Sequence, residues 1–230
     1  MIESETNNVA TKRHKGMMKA AKAVVEKARA RRSSHVMKPE YLAEMYFEVL
    51  RKRVGEFLTL ASGSPRRAKI LGDHGVDFFV EKTDAPEVNY NDDPERTVRE
   101  NALAKGAALA GRRKVLSADT IVWFDGRIYG KPCDIEEAKE FLSELSGQTH
   151  VVFTGVAYDG DVKVATSNVT FRRLSEPSID EYVAKVRPTD RAGAYDIDES
   201  GDLIVERWTG SYENIMGLPV EPLREWGIVE

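Results

Sequence analysis

From Gly55 onward, short apolar runs alternate with helix-period stretches punctuated by Gly and Pro, and that alternation restricts the chain to a sheet flanked by helices. The run over 57–61 reads as a strand stopping in Ser62-Gly63-Ser64. Pro65 suits the first turn of the helix that follows, which carries Ala68, Ile70 and Leu71 and ends by Gly72 to Gly75. A strand over 76–80 comes next, then a helix over 94–110, with Asp93 placed to cap it and Gly111 to end it. Two runs, 115–124 and 127–129, flank Asp125-Gly126, and two more, 151–158 and 162–171, flank Asp159-Gly160. Both pairs read as hairpins, because Asp-Gly accepts the positive φ values of a two-residue turn. Helices over 135–145 and 179–186, a strand over 203–207 and a last helix after Pro219 complete the pattern. The class is α/β, and the hairpins make the sheet mixed rather than wholly parallel.

Upstream the pattern changes. Pro39, followed by Leu42, Met45, Tyr46, Val49 and Leu50 at helical spacing, predicts a helix over 40–54. Residues 1–38 form a basic extension, helical or disordered, ahead of one domain over 39–230. A competing reading of the extension is an organelle-targeting peptide: Arg and Ser around 29–34 suit it, whereas Glu3 and Glu5 do not. Ten Lys and Arg against four Asp and Glu give residues 1–40 a charge of +6, so the rest carries −10 of a net −4. An acidic body argues against a broad nucleic-acid surface, and any polyanion site within it needs its own cationic pocket or a metal. No apolar run reaches the roughly 18–20 residues of a membrane-spanning helix. The single cysteine, Cys133, excludes an internal disulfide; read as a small buried filler, it fits a reducing compartment, the cytoplasm.

Three segments carry the candidate chemistry. In Leu60-Ala61-Ser62-Gly63-Ser64-Pro65-Arg66-Arg67 a strand ends in small residues and opens a helix, leaving backbone N–H groups aimed at one spot. Phosphate is the natural guest, because Arg66 and Arg67 in a first helical turn are badly sited unless an anion joins them. The alternative is a helix capped by Ser64 with solvated arginines. In Ser117-Ala118-Asp119-Thr120 an aspartate interrupts an apolar strand and needs a cation or metal partner. In Tyr129-Gly130-Lys131-Pro132 a lysine is held between a flexible and a rigid residue, although a turn lysine is more often simply solvated. Lys105 lies on a helix of mostly small apolar residues, where an inward ammonium implies an anion, and Glu87 occupies a loop between a strand and a helix. Two arginines, two lysines and two carboxylates near element ends suit a nucleoside triphosphate with a divalent metal.

These blocks recur in order with Leu145-Ser146-Gly147, Phe153-Thr154-Gly155-Val156, Ala192-Gly193-Ala194-Tyr195 and Gly210 to Pro219. Together they resemble the Maf (septum-formation-inhibitor-like) nucleotide pyrophosphatases over about residues 56–225. The resemblance implies a mixed sheet in two lobes around a cleft, a homodimer, and hydrolysis of a nucleoside triphosphate to monophosphate and pyrophosphate with Mg²⁺ or Mn²⁺. By position it implies Asp119 as general base, with Glu87 beside it at the metal and water site. Ser62, Ser64, Arg67, Lys105 and Lys131 would then hold the triphosphate. Arg66 and Thr120 match the branch acting on dTTP and UTP; the branch acting on 7-methyl-GTP has a bulky aromatic and Gln there. Asp198 stands where the dTTP/UTP branch carries Gln, and a carboxylate accepts hydrogen bonds without donating any. The alternative function is a non-catalytic nucleotide-binding regulator of cell division using the same pocket, against which the intact set of Glu87, Lys105, Asp119 and Lys131 argues.

Overall fold

The computed structural model describes residues 57–230, so the extension over 1–38 and the helix expected over 40–54 lie outside the described residues. The chain runs β1 (Leu58–Leu60), α1 (Pro65–Asp73), β2 (Phe78–Val80), α2 (Pro94–Ala107), β3 (Val115–Phe124) and β4 (Arg127–Tyr129). It continues with α3 (Ile135–Leu145), β5 (Thr149–Tyr158), β6 (Asp161–Phe171), α4 (Glu176–Val186), β7 (Val205–Thr209), α5 (Tyr212–Ile215) and α6 (Val220–Glu225).

Both Asp-Gly hairpins form as expected, with φ of 47° and 78° at Asp125 and Gly126 and of 46° and 93° at Asp159 and Gly160. Asp159 also accepts the N–H groups of Lys114 (3.1 Å) and Val115 (2.9 Å), which fastens its turn to the start of β3. Asp93 caps α2 through the Arg96 N–H at 3.0 Å. Helix α2 ends at Ala107 rather than at 110. Helix α4 begins at Glu176, three residues before the apolar periodicity starts, because Ser175 and Ser178 close a reciprocal capping box. The last strand begins at Val205 rather than 203, since Gly201–Leu203 forms a 3₁₀ turn.

The seven strands make one mixed sheet in the order β2-β1-β3-β5-β6-β7, with β4 also paired to β3. Strand β1 is parallel to β2 and to β3, and the remaining pairings are antiparallel. The chain passes from β1 to β2 on one side and then crosses to β3 on the other, so the carboxyl end of β1 is a switch point where α/β sheets open a crevice. The register decides what lies in that crevice. Strand β1 pairs with β3 only to Leu60↔Leu116, and β4 takes up β3 only from Val122. Residues 117–121 of β3 thus run past β1 with no strand among the described residues on that edge. Apolar side chains from all layers, among them Leu60, Leu71, Leu116, Leu142, Phe171 and Tyr182, are fully buried around the sheet, each stabilising the fold by about 1.5–3 kcal/mol.

Cys133, expected as a buried filler, is exposed. The turn after Pro132 runs into the cap of α3, and the Cys133 N–H is used there on Glu137 Oε2 at 2.6 Å. Among the described residues no helix is long and apolar enough to cross a membrane.

Candidate active site

Asp119 lies on the stretch of β3 that neither β1 nor β4 pairs and is 6% exposed. Its Oδ1 accepts from Lys105 Nζ at 2.5 Å and its Oδ2 from Asn101 Nδ2 at 3.1 Å. The same ammonium reaches Glu87 Oε1 at 2.7 Å. The sequence arranges this through a glycine. Across the sheet from Asp119 is Gly155 of β5, where a Cβ would lie 2.3 Å from the Val98 carbonyl oxygen. Only a bare backbone lets α2 lie that close. Asn101 and Lys105, three and seven residues beyond Val98, then share the helix face over the carboxylate. Asn101 also clamps the Glu87 loop, accepting the Val88 N–H at 2.8 Å and donating to the Val88 carbonyl at 3.0 Å. A carboxylate this deep is tolerated because an ammonium and an amide meet it.

Thr120, the next residue, projects from the opposite face of the strand. Arg67 spans that side: Nε donates to the Gly217 carbonyl (2.8 Å), Nη1 to Ser62 Oγ (3.0 Å) and Nη2 to Thr120 Oγ1 (3.1 Å). Thr120 Oγ1 lies 3.1 Å from Thr154 Oγ1, and Thr154 donates to the Asn214 carbonyl at 3.1 Å. Burial pulls the Arg67 guanidinium down to about 10, with Arg66 adding to the fall and Asp119 and Glu87 opposing it. It stays charged at neutral pH, between two carboxylates and an open cleft.

That cleft is lined by Ser64, Arg66, Arg67, Thr120, Val122, Val152, Ala192, Tyr195, Asp196, Ile197, Ile215, Met216 and Gly217. Arg66 pairs with Asp196 at 3.3 Å, and Arg191 Nε meets the same oxygen at 3.0 Å. Burial pushes the Asp196 carboxyl up, but Arg191, Arg66 and the Asp198 N–H outweigh it and hold it below the ordinary value. Ser64 does not cap α1 with its side chain; its own N–H turns to Ser62 Oγ at 3.2 Å. The first N–H groups of α1 therefore have no side-chain acceptor among the described residues, which suits an anion.

The fold thus gathers Ser62, Arg67 and Thr120 in one network and Glu87, Lys105 and Asp119 in a second on the other face. Lys105 meets the two carboxylates. Lys131 is exposed and its ammonium forms no ion pair among the described residues. Asp198 sits at the rim, accepting from Tyr212 Oη at 3.2 Å, with Lys69 Nζ 3.7 Å away. Sequence reasoning passed over Asn101, Asp196 and Arg191. Asp196 carried the signal that exposed Asp119, a charge inside an apolar run, Tyr195-Asp196-Ile197; Asn101 carried a fainter one, an amide one turn from Lys105 on a face of small residues.

Comparison with known proteins adds a family profile described as Maf-like protein, which matches residues 57–226. A dTTP/UTP pyrophosphatase of Thermotoga petrophila is 44% identical over 172 residues, covering 71% of this chain and 84% of that protein. The Thermotoga maritima protein of the same name matches over the same shares. A dTTP/UTP pyrophosphatase of Bacillus cereus is 42% identical over 174 residues, covering 72% of this chain and 91% of its own.

Proposed function

The chain belongs to the Maf-like protein family, and from that premise we propose that it hydrolyses nucleoside triphosphates of the dTTP/UTP type to monophosphate and pyrophosphate. One observation carries the reading: a single ammonium, that of Lys105, gathers Asp119 and Glu87 within 2.5 and 2.7 Å at the open edge of β3. Arg67, which feels the field of both carboxylates, faces the adjoining cleft.

In this reading the uncapped start of α1, with Ser62, Ser64 and Arg67, binds the triphosphate, and Lys105 and Lys131 contribute further positive charge. Asp119 accepts a proton from water as the water oxygen bonds to the α-phosphorus. The bond from that phosphorus to the oxygen bridging the α and β phosphates breaks, and pyrophosphate departs with the electron pair, its charge met by the cations. Two carboxylates and phosphate oxygens form the hard donor set that Mg²⁺ or Mn²⁺ takes. Among the described residues no group of three His, Cys, Asp or Glu could hold a metal, so Glu87 and Asp119 would share the ion with substrate. Bound there, it would supply Lewis-acid polarisation and a lowered water pKa. Arg66 and Thr120 are assigned to the base end, and Asp198 to its rim. We also assign the enzyme to the cytoplasm, on its one unpaired thiol, and to a homodimer, which sedimentation tests.

The deciding experiment incubates the protein with dTTP or UTP and Mg²⁺ and separates pyrophosphate from phosphate. Pyrophosphate should dominate, and Asp119→Asn should lower kcat by at least about 10²-fold. Phosphate as the main product, or an Asp119→Asn enzyme with wild-type turnover, rejects the assignment. Nucleotide binding without turnover supports the regulator instead.

A further inference from the structure

We propose that Asp196 is the positioning residue that aims Arg66 into the cleft and so sets a preference for pyrimidines with a carbonyl oxygen rather than an amine at C4; this rests on the function proposed above. The two oxygens of Asp196 have separate partners. Oδ1 accepts the backbone N–H groups of Asp198 (2.9 Å) and Glu199 (3.3 Å). Oδ2 accepts Arg191 Nε (3.0 Å) and Arg66 Nη1 (3.3 Å). Arg191 is fixed in turn by Asp190 (2.8 Å), Glu199 (2.7 Å) and the Val186 carbonyl (3.3 Å). The Asp196 backbone N–H donates to Tyr182 Oη at 2.9 Å, which ties the loop to α4. A carboxylate held at this many points is a rigid anchor.

Arg66 has only that anchor. It makes no other hydrogen bond among the described residues, and it lines the cleft. With Nη1 engaged, the remaining guanidinium N–H groups are left to donate, and a guanidinium cannot accept. It therefore favours the C4 carbonyl of uracil or thymine over the C4 amine of cytosine. Asp198 is not among the residues lining the cleft, and Tyr212 and Lys69 occupy its carboxylate at the rim. The preference accordingly depends on Arg66, and Arg66 on Asp196.

Asp196→Asn separates the two oxygens. Its amide oxygen can still accept both backbone N–H groups, while its NH₂ faces two guanidinium groups that need an acceptor. Pyrophosphate release from UTP and CTP is measured for wild type, Asp196→Asn, Arg66→Gln and the double variant. Asp196→Asn should raise the KM for UTP about tenfold with kcat within about twofold, and lower the UTP/CTP ratio of kcat/KM about tenfold. In the Arg66→Gln background the same change should move that ratio by less than about twofold. Asp196→Glu, which retains the charge, should recover part of the ratio. An unchanged ratio in Asp196→Asn, or an equal effect in both backgrounds, overturns the proposal. If wild type releases no pyrophosphate from any triphosphate, the functional reading fails and the anchor is read by phenylglyoxal labelling of Arg66. Asp196→Asn should then label about threefold faster, as a charge-assisted bond is released; an unchanged rate overturns the anchor. If Asp196→Asn does not fold, the double variant, which removes the stranded guanidinium, should be more stable than the single one, and a double that is no more stable overturns it.

Discussion

Gly155→Ala probes how the fold assembles the carboxylate cluster. The new Cβ would lie 2.3 Å from the Val98 carbonyl oxygen, 2.6 Å from its carbon and 3.1 Å from the Arg99 nitrogen. A carbon and a carbonyl oxygen in contact need roughly 3.3 Å, so β5 and α2 must separate by about 1 Å. Neither yields locally: β5 is paired on both edges, to β3 and β6, and the obstructing atoms are helix backbone. Helix α2 lifts instead, and Asn101 and Lys105 move with it away from Asp119. Overpacking of this kind costs about 1–3 kcal/mol, and a buried carboxylate losing its donors adds to that. For a domain of this size the melting midpoint should fall by about 4–10 °C. A shift of about 1 Å costs about 10²-fold in turnover if the cluster acts as proposed. Gly72→Ala is the matched control. That position is exposed in the last turn of α1 with open space around it, so Ala should stabilise by up to about 1 kcal/mol and leave turnover unchanged. Thermal unfolding and pyrophosphate release measure both. A Gly155→Ala protein that melts within about 1 °C of wild type with full turnover refutes the idea that this close approach positions α2.

Two further outcomes follow from the geometry. Burial lowers His150 to about 3, against an unfolded value of about 6.5, so it is neutral in the fold and the unfolded chain protonates first as pH falls. The stability it confers is complete above about pH 6.5 and is lost toward pH 3, at about 1.4 kcal/mol per pH unit; urea midpoints should show that slope reduced in His150→Phe, and identical slopes contradict the assignment. Arg67→Lys keeps the charge but cannot reproduce three divergent bonds to Gly217, Ser62 and Thr120. It should lower kcat/KM by about 10²-fold, and wild-type kinetics in that variant would remove Arg67 from the proposed substrate contacts.

What could be read from the chain was what acts over a few residues. Asp125-Gly126 and Asp159-Gly160 gave their turns away because two adjacent positions needed positive φ, and Asp93 marked α2 because its carboxylate reaches an N–H three residues on. The Ser175 and Ser178 cap lies outside the apolar spacing, which begins only at Ile179, so periodicity alone places the helix start too late. Asp119 was legible for a different reason, since a carboxylate in a buried strand demands a counter-charge wherever that charge comes from.

The local sequence therefore determined the α/β alternation, the hairpins, the phosphate-suited start of α1 and the need for a cation beside Asp119. Tertiary structure decided which groups meet. Whether Lys105 or Arg67 answers Asp119 depends on α2 resting against Gly155, a contact 57 residues removed in sequence, and Asp196 reaches Arg66 across 130 residues. The physical reason is common to both. Turns and caps are selected by short-range sterics and hydrogen bonds, whereas a buried charge states only that it must be compensated, and the packing of distant elements chooses the partner.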